Sequence, residues 1–539
     1  MTAINTLSLR PVVSTWEWTQ LDNGAWVPAK SRPVGVACRV LADGSTHRGV
    51  DRRAFEGAGM AFSGTASGGG SGATRADVGH AVLFAGAAAL GGFLFGYDTA
   101  VINGAVGAIR DKYDIGASGT GLTVSLTLLG AALGAWIAGT LADRLGRIRV
   151  MQIAAVLFII GAVGSAVPFS VYDLTFWRVV GGLAVGFASV IAPAYIAEIS
   201  PAAIRGRLGS MYQLAIVLGI AVSQLVNYAL QAAAGGDRNQ IAGLEAWQWM
   251  LMLEAVPAVL YLIMTTTIPE SPRFLVAQGK DDRARKIISD LEGGDHDAVT
   301  ERMNEIRDSL SEKQAKTTVR QLFSKRLGVS HLVWVGIALA ALQQLVGINV
   351  IFYYSSTLWQ AVGFGADRSL LISVVSALVN IVGTFVAIAV IDRVGRKPLL
   401  LVGSAGMAIS LGTAAFCFHS ATVTKNEIGE SVATLTGANA TIALIGANAF
   451  VFFFALSWGP VVWVLISEMF PNRVRAAAVG IATATNWVAN FLVSWTFPAL
   501  ADWNLSYTYA GYAVMAALSL FVVLRFVKET RGSTLESVQ

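Results

Sequence analysis

Apolar residues run in blocks of about 20, separated by short polar connections, and such a block is long enough to cross a bilayer as a helix. About twelve spans are predicted, over 81–105, 120–141, 150–169, 173–196, 208–231, 247–268, 329–354, 369–391, 398–418, 440–466, 475–498 and 506–527. Two regions break the pattern. Residues 269–328 are polar, but Ala284, Ile287, Ile288 and Leu291, then Val299, Met303, Ile306 and Leu310, recur at helical spacing. That predicts amphipathic helices lying on a membrane face, not spans. Residues 1–79 are polar, lack an apolar core and end in the Gly/Ser-rich "SGTASGGGSGATR". They carry no signal-peptide core and are expected to be disordered, with Met60 a possible true start. The organisation expected is a 1–79 extension, a half over 80–268, a linker over 269–328, a half over 329–527 and a tail over 528–539.

Composition supports the membrane reading. The 539 residues are 54% hydrophobic and only 14% charged, against about 25% charged in a soluble domain, and mean hydropathy is +0.59. The fold class is an all-α polytopic membrane protein. Lys and Arg cluster in alternate loops: Arg144, Arg147 and Arg149; Arg205 and Arg207; Arg393, Arg396 and Lys397; Arg473 and Arg475. The intervening loops "VPFSVYD" and "ADWNLS" are free of them. By the positive-inside rule both termini and the 269–328 segment are cytoplasmic.

Several chemistries find no support. Cys38 and Cys417 are too far apart in sequence to suggest a disulfide framework, and the five histidines show no metal-ligand spacing. There is no GxxxxGK[ST] phosphate loop and no nucleophile–base set, so neither metal, nucleotide nor covalent cofactor is expected, and the chain does not read as an enzyme. Nothing points to nucleic acid. "GGLAVG" (Gly181–Gly186) sits within an apolar run and reads as close helix packing.

The chain also repeats itself. "LADRLGR" (141–147) recurs as "VIDRVGR" (390–396), "AEISPAAIRG" (197–206) as "SEMFPNRVRA" (467–476), and "PESPRFL" (269–275) is echoed by "KETRGSTLE" (528–536). Two halves related as parallel repeats are one architecture of secondary transporters, with the substrate site between them near mid-membrane. In these motifs Asp143, Arg144 and Arg147 match Asp392, Arg393 and Arg396, and Glu198 with Arg205 matches Glu468 with Arg475. Glu270 and Arg273 extend the set, with Glu529 and Arg531 in the copy.

Asp98, in "GGFLFGYDTAVINGA" (91–105), Arg178 and Glu254 stand inside apolar spans, where a charge costs about 2.5–3.5 kcal/mol or more. Span one runs outward while spans four and six run inward, so all three fall at one depth and are able to face one another. A buried carboxylate stays ionised beside a guanidinium and takes a proton when separated from it. The group reads either as a proton switch or as a static ion pair that fixes helix packing.

"GTLADRLGRIR", "DRVGRK", "PAYIAE", "PESPRFL", "QQLVGINVIFYYSS" and "WGPVVWVLISEMFP" occur in order between about residues 80 and 536. Together they resemble the signatures of the major facilitator superfamily and, within it, the sugar porter family. The nearest resemblance is to glucose permeases of actinobacteria and to bacterial xylose–proton symporters. It implies two pseudo-symmetric six-helix halves, with Asp98 as proton carrier, Arg178 as its partner and Glu254 assisting or balancing charge. It also places Gln213, Gln343, Gln344, Asn349, Asn380, Trp463 and Asn486 on sugar-contacting positions. Amides suit hydroxyls because each offers two donors and an acceptor without charge. On a regular helix Gln343 and Asn349 would point about 240° apart, so one ligand reaches both only if the helix bends, as Gly347 permits. Gly459 and Pro460 offer a similar break before Trp463. Tyr353 and Tyr354 read as part of an outer gate, or as simple helix packing. The repeated acid–base motifs read as a cytoplasmic latch between the halves that stabilises the outward-open state; the arginines also set topology.

The function expected is proton-coupled import of a monosaccharide by alternating access, glucose ahead of xylose, galactose or myo-inositol. A facilitative uniporter is the alternative, and Asp98 argues against it. A non-transporting sugar sensor would need a signalling tail that the last residues do not provide. The partners expected are sugar, proton and lipid bilayer, in the plasma membrane.

Overall fold

The computed structural model describes residues 18–20, 26–28, 75–201, 204–311, 330–425, 431–435, 437–470 and 472–530. Most of the 1–79 extension, the end of the linker and the tail beyond Thr530 lie outside the described residues. Contacts divide the chain into Met1–Gly70 and Ser71–Gln539. In the first unit β1 (Trp18–Gln20) pairs antiparallel with β2 (Trp26–Pro28), Thr19 opposite Val27. The sequence reading expected no regular structure there; a tryptophan in each strand supplies the local β preference.

The second unit is helical. Its first half comprises α1 (Arg75–Tyr113), α2 (Ala117–Leu145), α3 (Arg147–Ala166), α4 (Val171–Ile199), α5 (Arg205–Ala234), α6 (Ala246–Met252) and α7 (Ala255–Thr267). A hairpin of β3 (Gln240–Ile241) and β4 (Leu244–Glu245) precedes α6. The short helices α8 (Pro272–Ala277), α9 (Asp281–Leu291) and α10 (His296–Ser311) follow. Leu275, Ala284, Ile288, Val299, Met303 and Ile306 give them a core of their own. All but Leu275 are positions that the helical spacing of the polar linker selects; Leu291, also selected, packs in the main core.

The second half comprises α11 (Ser330–Leu345), α12 (Ile348–Tyr353), α13 (Ser355–Ala361), α14 (Ala366–Val394), α15 (Arg396–His419), α16 (Ala438–Leu456), α17 (Val461–Glu468) and α18 (Asn472–Phe526). A second hairpin, β5 (Thr422–Lys425) with β6 (Ser431–Thr434), joins α15 to α16. Neither hairpin is legible in the hydrophobic pattern, because both lie in connections.

Among the described residues, eleven helical stretches are long and apolar enough to cross a membrane. The last of them, Ala477–Phe526, runs for 50 residues, or about 75 Å at 1.5 Å per residue, against about 30 Å of hydrocarbon. Its backbone is extended at Asn504 (φ −167°, ψ 106°). Asn504 Oδ1 there accepts from the N–H of Tyr507 at 3.0 Å. The stretch is therefore two spans meeting at a capped break, the eleventh and twelfth of the hydrophobic pattern. The protein is a multi-pass membrane protein of two pseudo-symmetric halves.

Small residues bring the helices close. A Cβ on Gly182 would lie 2.0 Å from Thr127 O, and one on Gly186 2.3 Å from Ala131 O. So "GGLAVG" is the seam where α4 meets α2.

Candidate functional site

Three helical elements bring the intramembrane charges together. Arg178 Nη1 donates to Asp98 Oδ1 at 2.7 Å, and Nη2 to the Asp98 carbonyl at 3.3 Å. Both side chains are fully buried, 4% and 3% exposed. Glu254 stands at the junction of α6 and α7, within electrostatic reach of both partners. Arg178 binds Asp98 alone, and Glu254 shares a side-chain hydrogen bond with the Asp98 carboxyl. The site is incompletely paired: Asp98 Oδ2, Arg178 Nε and Glu254 Oε1 are buried without a hydrogen-bond partner among the described residues. Buried polar atoms are usually satisfied, so a cluster of three that are not marks a place where partners change. Beside the pair lies a small cavity whose walls include Thr127, Tyr353 and Trp487.

The second cluster is neutral. Between α11 and α12 the backbone turns at Gly347, with φ +83°, and a Cβ there would meet Tyr512 Cδ2 at 2.8 Å. Only glycine takes this conformation without strain and fits beneath that ring. The turn resolves the angular problem of span seven. Asn349 Nδ2 donates to Gln344 Oε1 at 2.7 Å, and Gln344 Nε2 to Asn486 Oδ1 at 3.2 Å. Asn486 Nδ2 donates to Gln343 Oε1 at 2.8 Å, and Gln343 Nε2 to Trp458 O at 2.7 Å. Trp458 and Gly459 occupy the break between α16 and α17 that Pro460 closes. The four amides form a linear circuit that runs from Asn349 to the Trp458 carbonyl, each able to exchange its partner for a hydroxyl. Gln213, Asn380 and Trp463 stand outside the circuit, and their side chains make no hydrogen bond among the described residues.

Polar residues that the motif reading passed over tie the halves together. Asn103 Nδ2 donates to Gln224 Oε1 at 2.9 Å and to Ser373 Oγ at 3.0 Å, while its Oδ1 accepts from the Ser356 N–H at 2.8 Å. Gln224 Nε2 donates to Phe352 O at 3.3 Å. Asn103 lies inside the same apolar stretch as Asp98, and polarity in a span was the signal available to find it. Further along, Arg110 meets Asp502 at 3.5 Å. These contacts join the halves towards the face opposite the arginine-rich loops. Tyr353 and Tyr354 belong to this closure. Both are buried, Tyr354 Oη donates to Ser494 O at 3.0 Å, and Tyr353 Oη accepts from Asn490 Nδ2 at 3.5 Å.

On the arginine-rich face the repeated motifs form two near-identical clusters. Arg147 binds Glu198 through Nε and Nη2, both at 3.0 Å. Arg396 binds Glu468 through the same atoms at 3.2 and 3.0 Å. Ser271 Oγ donates to Glu198 as Thr530 Oγ1 does to Glu468. Glu270 accepts from the N–H groups of Arg147 and Ile148, and Glu529 from those of Arg396 and Lys397. Each carboxylate thus sits on a helix N-terminus. Space for it comes from Gly146 (φ +97°) and Gly395 (φ +101°), since a Cβ on either would collide with the glutamate. In this conformation the pairs among the described residues are internal to each half. With the halves joined at the other face, the two clusters have no cause to meet. Asp143 reaches Arg147 only at 3.6 Å and is exposed. Arg144, Arg273 and Arg393 make no ion pair among the described residues. The side chains of Arg205, Asp392 and Arg475 lie outside the described residues.

A buried, partly unpaired charge site in one half, an amide circuit in the other and a closure on one face define a membrane carrier of two rocking halves. The family model "Sugar (and other) transporter" matches residues 84–539. A glucose transport protein of Synechocystis is 52% identical over 86% of this chain and 98% of its own. The D-xylose-proton symporter of Escherichia coli is 37% identical over 84% and 94%. Among solved structures, a partially occluded inward-open conformation of the E. coli xylose transporter XylE superposes with a TM-score of 0.71 at 34% identity, covering 85% of this chain and all of that one. The same symporter bound to 6-bromo-6-deoxy-D-glucose gives 0.70 at 35% identity, over 86% and 99%. The chain belongs to the sugar porter family of the major facilitator superfamily.

Proposed function

We propose that the protein imports a monosaccharide, glucose first, together with protons across the plasma membrane by alternating access. The observation that carries this reading is the Asp98–Arg178 pair, buried and incompletely bonded beside a cavity whose far wall belongs to the other half. Asp98 is the proton carrier, Arg178 stabilises its ionised form, and Glu254 balances or shares the second charge. Gln343, Gln344, Asn349 and Asn486 bind sugar hydroxyls by opening their circuit, with Gln213, Asn380 and Trp463 completing the pocket. The identity to a glucose transport protein supports glucose as the cargo.

In this reading both termini and α8–α10 are cytoplasmic, and the closure at Asn103, Tyr353 and Tyr354 is the outer gate. The structure is then the inward-facing state, and the contacts that close the opposite face support that. The latch residues form their contacts between halves only in the opposite state: Asp143, Arg144, Arg147, Glu198, Arg205, Glu270 and Arg273 against Asp392, Arg393, Arg396, Glu468 and Arg475.

The test is labelled-glucose uptake into proteoliposomes carrying the full-length chain. An inward proton gradient drives accumulation above equilibrium, and a protonophore collapses it. Equilibration without accumulation would make the protein a uniporter. Competition by a panel of xylose, galactose and myo-inositol checks the cargo.

A further inference from the structure

Tyr353 belongs both to the gate and to the wall of the cavity beside the charged pair. The cavity is shared between halves: Asp98, Thr127 and Arg178 line it from one, Tyr353 and Trp487 from the other. On the first wall Asp98 Oδ2 is buried and accepts from no N–H or hydroxyl donor among the described residues, and the Glu254 carboxyl is the neighbour that shares a hydrogen bond with the Asp98 carboxyl. On the second, the Tyr353 hydroxyl oxygen accepts from Asn490, at 3.5 Å. Its own proton has no acceptor among the described residues. Asp98 and Tyr353 thus line one pocket from the two halves, the tyrosine with an unused donor and the carboxylate with acceptor capacity to spare. The bond that holds Tyr353 back is at the outer limit of hydrogen-bond length, so giving it up costs little.

We infer that Tyr353 is the positioning residue through which the charge on Asp98 acts on the gate, by donating its hydroxyl proton in a hydrogen bond to Asp98 Oδ2 as the cavity narrows. The inference rests on the symport reading above. No covalent bond changes: the proton stays on the tyrosine, and only its acceptor is new. A hydrogen bond to a carboxylate is roughly twice as strong as one to a neutral group. Ionised Asp98 therefore holds Tyr353, and with it α12, more firmly than protonated Asp98 does.

The pull has a route into the second half. Asn490 Oδ1 accepts from Ser494 Oγ at 3.2 Å, and Ser494 O accepts from Tyr354 Oη at 3.0 Å. Asn490 lies one helical turn from Asn486 of the amide circuit, on the same face of α18. Tyr353 thus sits where the proton site, the gate and the amide site adjoin. The ionisable groups facing this cavity region are few. They are Asp98 and Tyr97 on α1, Arg178 on α4, Glu254 at the α6–α7 junction and Tyr353 itself. From α2 and α18 the residues that approach are uncharged, Thr127, Trp487 and Asn490 being the ones with a polar atom.

The experiment uses the full-length protein in proteoliposomes with labelled glucose. Tyr353→Phe keeps the ring and removes the donor. Gradient-driven accumulation should fall about tenfold more than sugar counterflow at equal pH, the lower end of what a charge-assisted hydrogen bond is worth. The dependence of KM on pH should flatten as well. In an Asp98→Asn background the same change should have no further effect on KM. Parallel losses of accumulation and counterflow, with the pH profile of KM retained, would leave Tyr353 a gate and nothing more, and overturn the coupling role. So would normal accumulation by Tyr353→Phe. Absence of accumulation by the unaltered protein would instead overturn symport itself, and the coupling role with it.

Discussion

The two halves share a fold and differ in what they bury. The first places a carboxylate and a guanidinium in contact at 2.7 Å, in span one and span four. The second places four amides in a circuit built from span seven and α18. Spans one and seven hold corresponding places in the repeat, yet one carries Asp98 and the other Asn349. Charge stores a response to protons, because its energy in a low-dielectric interior changes sharply with protonation. Amides store a response to hydroxyls, because they trade partners at nearly constant charge. Duplicating the scaffold let each half specialise without altering the packing that both need. The two clusters at the arginine-rich face, which kept their symmetry down to single hydrogen bonds, show how closely the halves agree where no specialisation occurred.

Removing the charge should break this division most visibly. Asp98→Asn is expected to abolish gradient-driven accumulation while sparing counterflow, read by the two assays side by side; unaltered accumulation would sink the proton role. Arg178→Ala leaves two buried carboxyls without their cation. Its thermal stability should drop by about 3–5 kcal/mol, as for other broken buried pairs, measured by denaturation in detergent. On the amide side, Gln343→Ala cuts the circuit and removes one of the two acceptors of Asn486 Nδ2, leaving Ala340 O. A rise in KM for glucose of about tenfold is expected, with the fold intact by thermal melting.

Gly347→Ala tests the backbone that makes the circuit possible. Left-handed strain costs about 1–3 kcal/mol, and the new methyl would press on Tyr512. Stability should fall by that amount and sugar affinity with it.

The smallest effect lies outside the spans. Burial alone would raise the Glu245 carboxyl, but hydrogen bonds from Lys112 and Trp247 and the charges of Lys112 and Arg238 hold it below the ordinary glutamate value of 4.5. A carboxyl lowered in the folded state adds stability above its unfolded value, and loses it as pH falls through its folded value. Melting temperature should therefore drop on acidification below pH 4.5, and Glu245→Gln should reduce that drop. The pair is near the surface, so the change is about 1 kcal/mol at most.

The spans, the duplication, the amphipathic linker and the candidate residues were legible in the chain itself. Bilayer crossing demands long apolar runs, and a repeat leaves matching motifs, so both are local and written in order. The intramembrane charges announced themselves for the same reason: nothing else in an apolar run is so costly. Three-dimensional arrangement decided the rest. Periodicity on a regular helix kept Gln343 and Asn349 apart, and only a left-handed turn at Gly347, wedged under Tyr512 from another helix, brings span seven's amides into one circuit. The arginine clusters could be paired within or between halves from sequence alone. Which pairing forms depends on which face is closed, a property of the state and not of the motif. Asn103, Gln224 and Asn490 carried no motif, and they matter because packing removed water and left each with a partner more than a hundred residues away. Sequence thus determined which groups had to be buried, because the cost of burial is set by each residue's own chemistry. Tertiary structure alone determined which of them meet, because a hydrogen bond depends on distance and direction between elements that the chain does not specify locally.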